Sequence, residues 1–206
     1  MIIYRYWEGK LPDYIEMCRR TLHRHTHGDN QVGEISDTTV HPELPINLKV
    51  DYFKATYIYE HGGFWIDADM IVMKDLSPIF DLLADYEFVG IPGFFGAKQG
   101  APILKRWIDG MDAAILRGGL TFSDLIQPLL HDSEFKEFEP LTREMICPIY
   151  HTESNKFFEL AKQDIADSYI VTLYNSQFPD WFKQMGKEQI LNSNMVISQY
   201  FKKALE

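Results

Sequence analysis

Two aspartates, Asp67 and Asp69, interrupt an apolar run in the stretch EHGGFWIDADMIVM. The run is typical of a buried strand, in which side chains two apart point to the same side with Cα atoms about 6.5 Å apart. Two ionised carboxylates this close repel each other, and burying them without compensation is costly. A hard divalent cation removes both problems, because Mg2+ and Mn2+ prefer oxygen ligands. The pair therefore predicts a metal site with Asp67 and Asp69 as ligands.

The net charge of the chain limits which ligands such a metal site could bind. A net charge of -10 argues against nucleic acid as a partner, because binding to nucleic acid needs a basic surface. A small phosphorylated ligand would need a cation to balance its charge, and a metal held by the two aspartates could provide it for a nucleotide diphosphate. An isolated Asp-x-Asp triplet also occurs at polar strand ends and turns. The flanking elements are therefore needed to distinguish a metal site from such a turn.

The helix expected immediately before the aspartates has the sequence LKVDYFKATYIYEHGG. Asn47 is its expected N-cap, and Gly62 or Gly63 is its expected end. Asp51 and Lys54 are three residues apart and so occupy neighbouring positions on one helical surface. Since ligands of open α/β sheets bind beyond the carboxyl ends of strands, aspartates at the end of FWI are well placed for binding.

The rest of the chain alternates strand-like and helical patterns. Strands are expected in IIYRYW, YEFVGIP, GFFGAK and SYIVTLYN, and helices in LPDYIEMCRRTLHRH, APILKRWIDGMDAAIL, SDLIQPLLHD, TESNKFFELAKQ, PDWFKQ and EQILNSNMVISQYFKKALE. This alternation predicts an α/β fold with a single mixed sheet flanked by helices. The absence of repeats and linkers predicts one domain over residues 1–206.

The cysteine content and hydropathy indicate a soluble protein of the reducing cytoplasm. Cys18 and Cys147 lie far apart without CxxC spacing, which disfavours a disulfide framework or a zinc site. The N-terminus lacks the apolar core of a signal peptide, and no stretch has the roughly 18 consecutive apolar residues of a membrane helix.

The segment LKVDYFKATYIYEHGGFWIDADM resembles the signature of family 32 glycosyltransferases, the α-mannosyl- and capsular-polysaccharide-type enzymes with a DxD sugar-binding motif. The glucosylating clostridial toxins share the pattern more distantly. The resemblance implies a GT-A fold, a nucleotide-sugar donor and Mn2+ or Mg2+. It assigns Asp69 as the main metal ligand and Asp67 to the ribose, the sugar and the metal. Asp51 would bind donor-sugar hydroxyls.

Three positions depart from the family pattern or are less specific. Lys54 stands where the family has Arg, and Trp65 where it often has Tyr, and the resemblance implies that both side chains contact the donor. Lysine keeps the charge but loses the bidentate fork of arginine. The opening IIYRYWEGK resembles the family's first strand, which implies that Trp7 stacks on the uracil of the donor. A packing role for Trp7 is the alternative.

The segment SYIVTLYNSQF resembles the closing strand of the family. The chain has Thr172 and Tyr174 where His and Trp are common, which puts this half of the metal site in doubt. Asn175 and Ser176 remain as candidates for contacts to the donor phosphates or the metal.

The resemblance implies a retaining hexosyltransferase that uses a nucleotide-sugar, with UDP-hexose favoured through Trp7. Its acceptor would be a glycan or a lipid-linked molecule in surface polysaccharide synthesis. Two alternatives stay open: a non-catalytic nucleotide-sugar-binding protein, and a DxD phosphohydrolase of the haloacid-dehalogenase type. In the latter class Thr or Val usually occupies the second position after the second aspartate; here Asp69 is followed by Met70 and Ile71.

Three other features have simpler interpretations. His23, His25 and His27 alternate at a helix end, which indicates a solvated turn rather than a metal cluster. Trp181 could cover a sugar ring, although core packing is the simpler expectation. The terminal YFKKALE could touch an acidic membrane surface, but two lysines give only about 2 kcal/mol, and a solvated helix end fits better.

Overall fold

The computed structural model describes residues 1–36, 41–118, 123–130, 141–161 and 165–206. Its strands in chain order are β1 Ile2–Tyr6, β2 Gln31–Ile35, β3 Gly63–Ile66, β4 Met70–Val72, β5 Phe88–Ile91, β6 Phe94–Ala97 and β7 Ile170–Thr172. Its α-helices are α1 Asp13–Arg24, α2 Ile46–His61, α3 Ser77–Phe80, α4 Pro102–Leu116, α5 Ser123–Leu130, α6 Arg143–Ile146, α7 Asp180–Lys183, α8 Lys187–Asn192 and α9 Val196–Leu205. Short 3-10 helices cover Asp81–Ala84, His151–Phe158 and Asn175–Gln177.

The main sheet has five strands in the order β2-β1-β3-β6-β5. Strands β1 and β3 are parallel, whereas β3 pairs with β6 and β6 with β5 in antiparallel fashion. The predicted α/β architecture with a mixed sheet is therefore confirmed. A second sheet, formed by β4 and β7, is an addition to the single sheet that the sequence predicts.

The diglycine after α2 is required by the backbone. Gly62 ends the helix with φ 68°, and Gly63 follows with φ 102°, both in the region that disfavours side chains. A Cβ on Gly63 would lie 2.7 Å from the carbonyl oxygen of Ile2 on the neighbouring strand β1. The prediction of a helix end at these glycines is correct, but Asn47 is not the N-cap. The helix already begins at Ile46, one residue after Pro45.

Two of the predicted helices take a different form. In the segment TESNKFFELAKQ, a 3-10 helix covers His151–Phe158, and the last two residues lie outside the described residues. The C-terminal segment is divided into α8 and α9, because the chain leaves helical geometry at Ser193.

The chain is divided into two compact units by its contacts. The first is drawn from Met1–Tyr6, Gly33–Ile66 and Pro78–Pro140, and the second from Trp7–Val32, Asp67–Ser77 and Leu141–Glu206. The prediction of a single domain over residues 1–206 stays a prediction.

The core of the first unit lies between its strands and helices α2 and α4. Trp65 on β3 and Trp107 on α4 are fully buried there, together with Phe95 on β6. The ring of Phe95 contacts that of Trp107 edge-on at 6.0 Å. Large aromatic rings thus supply much of the buried apolar area that stabilises this unit.

The core of the second unit is built around β4, β7, α1 and α9. Tyr14, Ile15 and Cys18 of α1 are buried in it with Ile71 of β4 and Phe201 of α9. Ile15, Cys18 and Leu22 recur at helical spacing and therefore share the buried face of α1.

The buried hydroxyl of Thr21 links α1 to β4. It accepts the Val72 N–H at 2.9 Å and donates to the Cys18 carbonyl at 2.8 Å. Among the described helices, none is both long enough and apolar enough to cross a bilayer.

Candidate functional site

Asp67 and Asp69 lie on a turn and not within a strand. Strand β3 ends at Ile66 and β4 begins at Met70, so the aspartates occupy the link between strands of two different sheets. The prediction of one continuous strand is wrong here, and the spacing argument from strand geometry does not apply. Both aspartates are half-buried. Such a turn suits Asp, whose short side chain bonds readily to nearby backbone groups.

Asp69 is held at two points by the chain that follows β7. Its backbone carbonyl accepts the Leu173 N–H at 2.9 Å. Its carboxylate oxygen Oδ2 accepts the Asn175 N–H at 2.7 Å. The antiparallel register of Met70 opposite Thr172 brings these segments together. Both contacts lie within the second unit, and they fix the orientation of the Asp69 carboxylate.

The backbone at Tyr174 turns the Asn175 N–H toward Asp69. Tyr174 has φ 56° and ψ 57°, a left-handed conformation that is uncommon outside glycine. Its hydroxyl donates to the Ile149 carbonyl at 3.2 Å, and its carbonyl accepts the Gln177 N–H at 2.8 Å. Strained residues of this kind cost about 1–3 kcal/mol and cluster at functional sites. The strain at Tyr174 therefore marks this turn as a functional candidate.

The Asn175 side chain is bound by Tyr14 of α1. The Tyr14 hydroxyl donates to Asn175 Oδ1, and the Tyr14 side chain is fully buried. Burial, with the Asp69 charge as a second cause, raises the pKa of Tyr14 well above its ordinary value. The hydroxyl therefore keeps its proton and remains a donor. Sequence analysis missed Tyr14, because its position within α1 resembles any other core position.

Thr172 and Tyr174, which stand where the family often has His and Trp, form hydrogen bonds to backbone carbonyls. The Thr172 hydroxyl is buried and donates to the Ile146 carbonyl at 3.2 Å, beside Cys147 Sγ at 3.3 Å. Tyr174 donates to a backbone carbonyl, as described above. Both side chains are thus engaged in holding the second unit together, whereas Ser176 is exposed.

Trp7 lies in the loop after β1. Its ring is half-buried and packs against the core of the second unit, and its Nε1 donates to the Lys10 carbonyl at 3.3 Å. Gly9 in the same loop has φ 84°, a conformation that favours glycine.

In the first unit, Asp51 and Lys54 form an ion pair. Lys54 Nζ lies 2.7 Å from Asp51 Oδ1, and the side chains are 3% and 17% exposed, respectively. The predicted closeness of the two residues on the surface of α2 is confirmed. The ring of Trp65, on the adjoining strand β3, is fully buried and meets Phe53 edge-on at 6.1 Å, which is a packing role.

The three histidines near the end of α1 do not form a metal cluster. Within the described ranges, no group of three or more His, Cys, Asp or Glu side chains is placed to hold a metal ion. His25 Nε2 instead lies 3.0 Å from the Ala204 carbonyl, and burial lowers the pKa of His25 below its ordinary value. Trp181, which was expected in the core, is 53% exposed and meets Phe158 edge-on at 5.3 Å.

The donor set at the turn nevertheless fits a hard divalent cation. Asp67 and Asp69 offer carboxylate oxygens from half-buried positions on a single turn. Mg2+ is commonly bound by one or two carboxylates, with waters and substrate phosphates completing its shell. Two protein carboxylates are thus sufficient, and a larger cluster of ligands is not required.

Residues 12–89 match the family described as the glycosyltransferase sugar-binding region containing the DXD motif. The matched range includes Asp67 and Asp69 with their spacing. In this protein, here termed the DXD chain, residues 12–89 are thus similar to the DXD glycosyltransferase region. The predicted resemblance to DXD glycosyltransferases is confirmed over these residues. No curated protein sequence matches the chain.

Solved glycosyltransferase structures are similar to the DXD chain over most of its length. The apo form of GlyE from Streptococcus pneumoniae TIGR4 has a TM-score of 0.59 at 12% identity, covering 100% of this chain and 60% of that one. A glycosyltransferase involved in glycosylation of the major capsid of PBCV-1 has a TM-score of 0.56 at 14% identity, and the similarity covers 89% of this chain and 96% of that one. The galactosyltransferase LgtC, solved with donor and acceptor sugar analogs, has a TM-score of 0.51 at 10% identity, and the similarity covers 99% of this chain and 95% of that one.

These similarities establish the fold of the DXD chain. The neighbours are glycosyltransferases with which it shares a mixed sheet flanked by helices, so the predicted GT-A fold is confirmed. The chain spans only 60% of the length of the GlyE structures.

Proposed function

We propose that the DXD chain is a metal-dependent, retaining glycosyltransferase that moves a hexose from a nucleotide-sugar, with UDP-hexose favoured, to a glycan or lipid-linked acceptor. The observation that carries the proposal is the fixed Asp69 carboxylate. It lies on the same turn as Asp67, inside the matched DXD region, and is held by the Asn175 N–H at 2.7 Å. A carboxylate oriented before the ligand arrives loses less entropy on binding.

Asp69 is proposed as the main ligand of Mn2+ or Mg2+, and Asp67 as a contact to the ribose, the sugar and the metal. When bound, the divalent cation supplies charge neutralisation for the departing nucleoside diphosphate. The protein's own task is to present the Asp69 oxygens in a fixed direction, which the bonds from Leu173 and Asn175 accomplish. No residue is assigned as a nucleophile.

The contacts to the donor are proposed residue by residue. Asp51 would accept hydrogen bonds from sugar hydroxyls, with Lys54 holding its carboxylate at 2.7 Å. Trp7 would stack on the uracil. Asn175 and Ser176 would contact the diphosphate. For Trp65, full burial supports a packing role in place of the donor contact that the family resemblance implies.

The cellular setting is also a proposal. A single GT-A domain over residues 1–206 is supported by the family match, since residues 12–89 include segments of both compact units. Two buried free cysteines, Cys18 and Cys147, support a reducing cytoplasm. Synthesis of a surface polysaccharide is proposed from the family resemblance, and peripheral contact of the C-terminal lysines with an acidic membrane is the weaker alternative to a solvated helix end.

Calorimetric titration tests the proposal directly. UDP and GDP are titrated into wild type and Asp69→Asn, each with Mn2+ and with EDTA. We expect metal-dependent UDP binding that Asp69→Asn abolishes. The control is Asp85→Asn, which removes an exposed carboxylate outside the DXD turn. Metal-dependent binding of GDP in place of UDP would mean that the donor is a GDP-sugar and not a UDP-sugar. If wild type binds neither nucleotide, the proposal fails.

A non-catalytic nucleotide-sugar-binding protein is the second candidate. It is favoured by one observation: the Thr172 hydroxyl, at a position where the family often has His, donates to the Ile146 carbonyl. Turnover decides between the two candidates. Hydrolysis of a panel of UDP-hexoses with Mn2+, measured as released UDP and lost in Asp69→Asn, identifies an enzyme. UDP binding with neither hydrolysis of the UDP-hexoses nor transfer of the hexose to any acceptor offered identifies a binding protein.

A further inference from the structure

Asn175 connects two buried or half-buried groups that are remote in sequence. Its backbone N–H donates to Asp69 Oδ2, and its side-chain oxygen accepts the Tyr14 hydroxyl. Tyr14 belongs to α1, Asp69 to the DXD turn and Asn175 to the 3-10 turn after β7. All three residues are in the second unit.

The Tyr14 hydroxyl is well suited to fix this arrangement. The side chain of Tyr14 is fully buried, and its ring packs against Phe178 at 6.0 Å and Phe182 at 5.3 Å. A ring enclosed in this way has little rotational freedom, so its hydroxyl occupies a defined position. Asn175, by contrast, follows a strained left-handed residue and is half-buried on its turn.

We propose that Tyr14 is a positioning residue for the Asp69 carboxylate. The Tyr14 hydroxyl holds the Asn175 side chain, and the Asn175 backbone N–H thereby stays aimed at Asp69 Oδ2. This inference rests on the proposed function, in which Asp69 is the main metal ligand. Partners that orient a metal ligand in this way typically contribute 10- to 100-fold to metal affinity or activity.

The substitution Tyr14→Phe removes the hydroxyl and keeps the ring that fills the core. Tyr200→Phe is the matched control. Tyr200 is a 2% exposed tyrosine in the same apolar core, and its hydroxyl bonds to the backbone of Ala166. Both variants lose one buried hydroxyl, but only Tyr14→Phe removes a partner of Asn175.

The readout is the affinity for Mn2+ in the presence of saturating UDP, measured by calorimetry and by the EPR signal of free Mn2+. We expect Tyr14→Phe to weaken Mn2+ binding by about tenfold or more, and Tyr200→Phe to leave it within twofold of wild type. Melting temperatures are recorded for both. Equal Mn2+ affinity in wild type and in a folded Tyr14→Phe would overturn the inference.

A second variant keeps the test decisive if Tyr14→Phe does not fold. Asn175→Ala removes the acceptor of the Tyr14 hydroxyl while keeping the backbone N–H that contacts Asp69. We expect weaker Mn2+ binding in Asn175→Ala and, where the double variant folds, no further loss when Tyr14→Phe is added, because residues acting through one contact are non-additive. Unchanged Mn2+ affinity in Asn175→Ala, or a full additional loss in the double variant, would contradict a role through Asn175.

The same data separate this inference from the proposed function. If wild type shows no metal-dependent UDP binding, the proposed function itself fails. If wild type binds Mn2+ and UDP together, Asp69→Asn abolishes this binding and Tyr14→Phe does not change it, only the positioning role fails.

Discussion

The backbone N–H of Asn175 donates to Asp69 Oδ2 at 2.7 Å, although the two residues are 106 positions apart in the chain. One carboxylate of the DXD turn is therefore oriented by a segment that no local pattern connects to it. The contact depends on the pairing of β4 with β7, which places Met70 opposite Thr172. The geometry of the turn and the stability of the second unit are coupled through it.

This coupling predicts different stabilities for two substitutions of Asp69. Asp69→Asn keeps a side-chain oxygen that can accept the Asn175 N–H, whereas Asp69→Ala leaves that donor without its acceptor. Since a half-buried donor that loses its partner costs about 1–3 kcal/mol, we expect Asp69→Ala to be less stable than Asp69→Asn by about 1–2 kcal/mol. Urea unfolding measures the difference, and equal midpoints with equal slopes would contradict it.

The buried ion pair on α2 predicts that a second substitution restores the stability lost in the first. Asp51→Asn removes the counter-charge from Lys54, which is only 3% exposed and lies 2.7 Å from Asp51. Breaking a buried pair from one side costs about 3–5 kcal/mol, reduced here to about 2–4 kcal/mol because Asp51 keeps some contact with solvent. We expect Lys54→Met in the same chain to recover most of the loss. Chemical denaturation of the single and double variants provides the measurement, and a double variant as unstable as Asp51→Asn would refute the explanation.

The proposed stacking of Trp7 predicts a loss of nucleotide affinity. Base–aromatic stacking is worth about 1–3 kcal/mol per base, so we expect Trp7→Ala to weaken UDP binding by about 5- to 150-fold. Trp7→Phe should lose less. Trp181→Ala, which removes a 53% exposed indole from the same unit, is the control. Calorimetry with UDP and Mn2+ measures these affinities. A Trp7→Ala variant that is folded and binds UDP as wild type does would leave Trp7 with packing alone.

His25 predicts a loss of stability in mild acid. Burial lowers the pKa of His25 below its ordinary value of 6.5, with the Ala204 carbonyl opposing that shift. The unfolded chain therefore binds a proton more readily than the folded one, so this contribution to stability is complete above pH 6.5 and is lost as the pH falls through the folded pKa. Urea unfolding at several pH values between 7.5 and 5 should show the decline. His25→Asn should flatten it, whereas the exposed His23→Asn should not; equal slopes in wild type and His25→Asn would contradict the assignment.

Much of the fold could be predicted from local patterns. The diglycine after α2 marks the helix end because only glycine tolerates the positive φ values and the approach to Ile2. The apolar spacing of α1 identified its buried face. In contrast, local propensity did not reveal the 3-10 helix His151–Phe158, or that the chain leaves strand geometry at Asp67. Those outcomes depend on packing partners elsewhere in the chain.

The sequence by itself determined the resemblance to a known family. The Asp-x-Asp triplet after a helix that ends in two glycines is local, so its resemblance to DXD glycosyltransferases could be recognised from adjacent residues, and the match to residues 12–89 confirms it. The tertiary structure alone decided how Asp69 is oriented. Its partners Leu173 and Asn175, and Tyr14 behind them, are brought together by strand pairing and core packing, and contacts between such distant residues leave no periodic signal in the sequence.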